Sequence, residues 1–160
     1  MSEVFVTHSA EESIALGEKL SAMLPESGLV LLIGNLGAGK TTITKGIAQA
    51  RGAVRAEEVS SPTFTLIHEY GEPATVYHID LYRLDEAREV ESLGLDELLA
   101  RRALVLIEWG ERFPELWPED RWEVRISDGE DEDSRRIELT RSPLYRHTSP
   151  QCDGGNSQSL

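Results

Sequence analysis

Cysteine is nearly absent: Cys152, in a polar C-terminal stretch, is the single one among 160 residues. This excludes an internal disulfide framework and a cysteine-built zinc site, and it leads us to expect a cytoplasmic protein. Long apolar runs are missing too. The longest, Leu29–Ile33 and Ala103–Ile107, fall far short of the about 20 residues a membrane span needs. The opening Met1–Ser13 has neither a basic cluster nor an apolar core, so no secretory signal is expected. Positive charge is scarce: 16 Lys and Arg face 29 Asp and Glu, for a net charge of −13. Broad binding to nucleic-acid backbones is therefore excluded, because it needs Lys and Arg to displace counterions. A small basic patch or a protein partner remains compatible with this balance.

What is present is ordinary for a one-domain chain, with 39% hydrophobic and 28% charged residues. Val4 and Val6 alternate with Phe5 and Thr7, which predicts a short first strand. Ser9 to Glu12 has the pattern of a capping box, and Ile14, Leu16, Leu20, Met23 and Leu24 recur at helical spacing up to Pro25. Leu29–Ile33 reads as a buried central strand, and a helix is predicted from Lys40 to Ala50. Thr63–Tyr70 has β-type residues. Thr75–Asp80 has period 2, with Val76, His78 and Asp80 on one face. Short helices are expected at Asp85–Glu91 and Asp96–Arg102, broken at Gly94. A second buried strand, Ala103–Ile107, ends at Glu108. Arg121–Ser127 and Arg135–Thr140 then form a hairpin around the acidic turn Asp128–Asp133. Residues 1–140 are read as one domain, and 141–160, poor in apolar side chains, as a disordered tail.

The chemistry lies in Gly34-Asn-Leu-Gly-Ala-Gly-Lys-Thr-Thr42, a complete Walker A pattern between a buried strand and a helix. Gly37 and Gly39 let the backbone curl so that amides of Leu36, Gly37, Ala38, Gly39, Lys40, Thr41 and Thr42 face an anion at the helix N-terminus. Lys40 is expected to face phosphate and solvent, serving the β- and γ-phosphates of a nucleotide. Thr41 offers its hydroxyl to Mg²⁺. Such a loop needs a strand-end acid to hold Mg²⁺ or to orient water. Glu108 and Asp80 are the two candidates. His78, on the face of Asp80, reads first as a packing or hydrogen-bonding residue, and Trp109 as a core cap. Ser61-Pro62-Thr63 sits where a P-loop ATPase places its switch segment.

These motifs, with Tyr77-His-Ile-Asp-Leu-Tyr-Arg-Leu84 and Ile107-Glu-Trp109, resemble the TsaE family, formerly YjeE. That family is the small ATPase of bacterial tRNA threonylcarbamoyladenosine synthesis. The resemblance runs from about Val4 to Leu139 and excludes the tail. It implies a three-layer, P-loop NTPase-like α/β fold with a central mixed sheet flanked by helices. It implies Mg²⁺-dependent ATP binding and slow hydrolysis, and work with TsaB and TsaD, which carry out the transfer itself; tRNA is met through the complex. It assigns Thr41 and Glu108 to Mg²⁺, Lys40 and the loop amides to the phosphates, and Asp80 to hydrolysis. It gives Ser61, Pro62 and Thr63 nucleotide-dependent movement, and Ala10 and Ser9 a place near the adenine. Position 35 departs from the family, being Asn where Asp is usual, so a negative charge near the phosphates is lost.

Two rivals carry different signatures. A small GTPase needs Asn-Lys-x-Asp and Asp-x-x-Gly, and neither occurs. A small-molecule kinase needs an arginine-rich lid, and the doublets Arg101-Arg102 and Arg135-Arg136 lie in no long insertion. A nucleotide-gated binding module, with hydrolysis incidental, fits the motifs as well as an ATPase does.

Overall fold

The computed structural model describes residues 2–35, 37–62 and 65–142, the last of these without its side chain. The strands are β1 (Ser2–Thr7), β2 (Gly28–Ile33), β3 (Ile67–Gly71), β4 (Ala74–Asp80), β5 (Leu104–Glu108), β6 (Arg121–Asp128) and β7 (Arg135–Ser142). The helices are α1 (Ala10–Met23), α2 (Lys40–Ala50), α3 (Ala87–Glu91) and α4 (Leu95–Leu99). The strands form one seven-stranded sheet in the order β1-β7-β6-β2-β5-β4-β3. β2 pairs in parallel with β5 and β6, and β5 in parallel with β4. β1, β7 and β3 attach antiparallel at the two sides.

The buried runs of β2 and β5 behave as parallel strands covered on both faces do. Val30, Leu32, Leu104 and Leu106 pack under α1 and α2 through Leu16, Leu20, Ile43 and Ile47. Leu29, Leu31, Val105 and Ile107 face the other way, under Val90, Leu95, Phe113 and Trp117. The expected three layers are thus present, the second cover being built from α3, α4 and the 3₁₀ turns Gly110–Arg112 and Pro114–Leu116.

Local differences from the sequence reading have local causes. Ser9 caps α1 by accepting the Glu12 N–H at 3.1 Å, but the Glu12 carboxylate accepts from His8 N–H at 2.8 Å, one residue earlier than a regular capping box. β3 begins only at Ile67, since Leu66 has φ 71° and its N–H bonds Pro62 O at 2.6 Å, a turn that extended backbone cannot make. α3 begins at Ala87 because the Glu89 carboxylate accepts the N–H groups of Asp85 and Glu86, both at 3.0 Å. β7 runs past Thr140: Arg141 and Ser142 pair with Trp122 and Arg121, and Arg141 reaches Asp120 at 3.2 Å. The rest of the expected tail, 143–160, lies outside the described residues.

Helices α1 and α2 cross at two glycines. A Cβ on Gly46 would collide with Ile14 O and lie 2.8 Å from Gly17 Cα, and one on Gly17 would collide with Ile43 O. Arg51, at the end of α2, donates to the carbonyls of Ser21, Leu24, Pro25 and Glu26. Orphan carbonyls at the end of α1 are satisfied this way.

Gly→Ala in a helix normally stabilises by about 1 kcal/mol. Here the sign should reverse: Gly46→Ala is expected to cost about 1–3 kcal/mol by overpacking, read as a lower urea midpoint. A variant at least as stable as the wild type would contradict the crossing.

Candidate functional site

The site is set by register. Leu32 of β2 pairs with Glu108 of β5, and Glu108 pairs with Asp80 of β4, so both acids stand in one row at the carboxyl ends of parallel strands. That end is where sites form in α/β sheets. Two residues beyond Leu32 the chain enters the Gly34–Thr42 loop. Gly37 (φ 77°) and Gly39 (φ 109°) occupy the left-handed region and turn the loop into α2, which starts at Lys40.

The loop is a wall of three cavities: one of about 560 Å³ joins Gly34, Asn35, Gly37 and Ala38 to β6 and β7, and two others adjoin the candidate residues. One, of about 410 Å³, is lined by Gly37, Ala38, Gly39, Lys40, Thr41 and Thr42 with Ser61, Asp80, Tyr82, Glu108 and Trp109. The other, of about 420 Å³, joins Gly37, Ala38, Gly39 and Thr42 to His8, Ser9, Ala10 and Ser13 at the start of α1, and to Asp133 and Arg135 of the hairpin. The structure therefore brings together Lys40, Thr41, Asp80, Glu108 and Ser61, and it sets Ala10 on the opposite side of the loop. Leu36 and Thr63 lie outside the described residues. Pro62 is buried and does not line either cavity.

Lys40 differs from expectation. It is only 5% exposed, its ammonium donating to Gly34 O at 2.7 Å and lying 3.7 Å from the centroid of the Trp109 ring. Burial depresses its pKa, while Glu108, Glu111 and Asp80 pull the other way. Trp109 is placed there by a left-handed turn (φ 68°) and is flanked by Tyr82, ring centroids 5.1 Å apart. Gly110 lets that turn pack: a Cβ would sit 2.8 Å from Leu31, and its carbonyl accepts Trp117 Nε1–H at 2.7 Å.

Asp80 is 2% exposed, accepting Tyr82 N–H at 2.8 Å on one oxygen and the Ser61 hydroxyl at 3.2 Å on the other. Glu108 is 4% exposed and accepts from His78 Nε2 at 2.6 Å. Among the described residues no cluster of three or more His, Cys, Asp or Glu side chains could hold a metal alone. Thr41, Glu108 and Asp80 are nevertheless hard oxygen donors on one cavity. Mg²⁺ usually takes only one or two protein oxygens, with phosphates and water completing its shell.

Several site residues escaped the sequence reading. The His78–Glu108 bond depends on a two-residue offset between strands, and Asp133 and Arg135 arrive through the antiparallel return of β7. Tyr82 was legible only as the residue two beyond Asp80. Glu111 lies on the turn after Trp109, its Oε1 buried without a partner among the described residues. Burial pushes the Glu111 carboxyl up, against its own backbone N–H, Lys40, Arg125 and Arg112. No helix among the described residues is long and apolar enough to cross a membrane.

Architecture and site together define an α/β protein with a P-loop NTPase-like fold. The sequence profile of the family described as "Threonylcarbamoyl adenosine biosynthesis protein TsaE" matches residues 7–137. The tRNA threonylcarbamoyladenosine biosynthesis protein TsaE of Bacillus subtilis is 39% identical over 135 residues, covering 84% of this chain and 82% of the relative. Its counterpart in Nostoc sp. is 41% identical over 147 residues, covering 88% and 86%. The crystal structure of B. subtilis YdiB superposes with a TM-score of 0.71 at 30% identity, covering 93% of this chain and 97% of that one. The chain belongs to the TsaE family.

Glu111 gives a test of the site's electrostatics. A carboxyl with a raised folded-state pKa stabilises the fold below its unfolded pKa of about 4.3 and loses that contribution as pH rises through the folded value. Glu111→Gln should therefore melt higher than the wild type at neutral pH, with the gap closing in acid. A gap that stays constant between about pH 4 and about pH 8 would contradict this.

Proposed function

We propose that this chain binds Mg²⁺-ATP at the Gly34–Thr42 loop, hydrolyses it slowly, and supports tRNA threonylcarbamoyladenosine modification with TsaB and TsaD partners in the cytoplasm. The observation that carries this reading is the loop standing as the shared wall of two cavities. One holds Lys40, Thr41 and both strand-end acids; the other is bounded by the start of α1. The first would take the triphosphate and the second the nucleoside. The loop amides and Lys40 would take the phosphates, Lys40 exchanging Gly34 O for phosphate oxygen. Thr41 and Glu108 would hold Mg²⁺, which when bound screens the phosphate charge. Asp80 would orient water, and its bond to Ser61 links that task to the switch-like segment.

Slow hydrolysis follows from where the arginines are. Arg51, Arg55 and Arg83 lie near the site motifs in sequence. Arg51 is engaged with the end of α1, and Arg55 lies 3.5 Å from Glu58. Among the described residues no arginine lines the cavity that holds Lys40 and Glu108. A charge supplied from outside is then the natural role of a partner.

Lys40→Ala should weaken Mg²⁺-ATP binding by about 1.5–3 kcal/mol, about 10- to 150-fold in Kd, by titration calorimetry on a variant whose melting curve shows it folded. Unchanged affinity would refute the phosphate role. Turnover of the isolated chain should be far below the enzyme median of about 10 s⁻¹ and rise by up to about 10³–10⁵ with partners, as when a finger arrives. Fast turnover alone, with no rise on adding partners, would overturn the reading.

A further inference from the structure

Resting on that reading, we infer that His78 is a positioning residue, which through its hydrogen bond to Glu108 fixes the carboxylate that would hold Mg²⁺. His78 is fully buried, on the α1–α2 face of β4. It pairs with Leu106, and Glu108 lies two residues further along β5 on the same face, so the imidazole reaches it diagonally, at 2.6 Å. Packing alone does not ask for a histidine there. Its neighbours on that face are the apolar Val76, Leu104 and Leu106 and, across on β3, His68, and Nδ1 is buried without a partner among the described residues, an arrangement an aliphatic side chain would avoid. What histidine adds is the Nε2–H donated to Glu108. That bond occupies Oε2, and no other bond among the described residues uses the carboxylate, so Oε1 is left for the cavity that Glu108 lines. The restraint has work to do, because Glu108 lines the same cavity as the Lys40 ammonium. A carboxylate free to rotate would be drawn to that ammonium. Hydrogen-bond partners of metal-holding carboxylates typically govern metal affinity by about 10- to 100-fold.

The geometry makes a selective test possible. Glutamine can place its amide N–H where His78 has Nε2–H; asparagine is one methylene too short. The measured quantity is the ratio of affinities for a non-hydrolysable ATP analogue with Mg²⁺ and with EDTA, by calorimetry on the full chain. His78→Asn should lower that ratio by about 10- to 100-fold, and His78→Gln should restore it to within about threefold of wild type. In a Glu108→Gln background, His78→Asn should lower it no further. A wild-type ratio in His78→Asn, equal losses in both variants, or a loss added to that of Glu108→Gln would overturn the inference. Should His78→Asn fail to fold, a folded His78→Gln that loses the ratio overturns it equally. A wild-type chain with no Mg²⁺-dependent binding would bring down the proposed function, and this inference with it. Mg²⁺-dependent binding that is indifferent to His78 brings down the inference alone.

Discussion

Parallel pairing of β2, β5 and β4 is the constraint on which the site depends. Register places Leu32, Glu108 and Asp80 side by side, and everything chemical is built outward from that row. A slip of one residue would turn either acid to the opposite face of the sheet, under Val90 and Trp117. The two carboxylates sit at the carboxyl ends of strands whose apolar residues fill the core on both faces, so core and site share one framework. The loop joins the same row because it is the direct continuation of β2.

Around that row, opposite charges are buried within reach of each other. Lys40 gives its ammonium to a carbonyl and an aromatic face, Glu108 gives an oxygen to His78, and Asp80 is held by a backbone N–H and a hydroxyl. Desolvation disfavours each charge, while mutual attraction offsets part of the cost.

The features legible in the sequence are those that need only neighbours in the chain. Gly34–Thr42 announced a strand–loop–helix junction through its own composition, and α2 spans Lys40–Ala50 as the periodicity predicts. Seven strands could not be ordered from sequence, because pairing partners are not adjacent in it. Lys40 was expected to face solvent since nothing in Glu108-Trp109-Gly110 reveals that Trp109 turns left-handed and covers it. Asp133 and Arg135 looked like parts of a hairpin, and only the antiparallel return of β7 brings them to the start of α1. His78 could be placed on the face of Asp80 but not against Glu108, which required knowing that β4 and β5 are neighbours.

The glycine crossing of α1 and α2 has a mechanical consequence. With Gly17 and Gly46 bringing the two backbones into contact and Arg51 tying the far ends together, the pair forms one stiff plate. The start of α1 and the end of the loop belong to it, so the wall near Ala10 and the wall near Thr42 travel as a unit. On the other side of the cleft the Ser61 hydroxyl donates to Asp80.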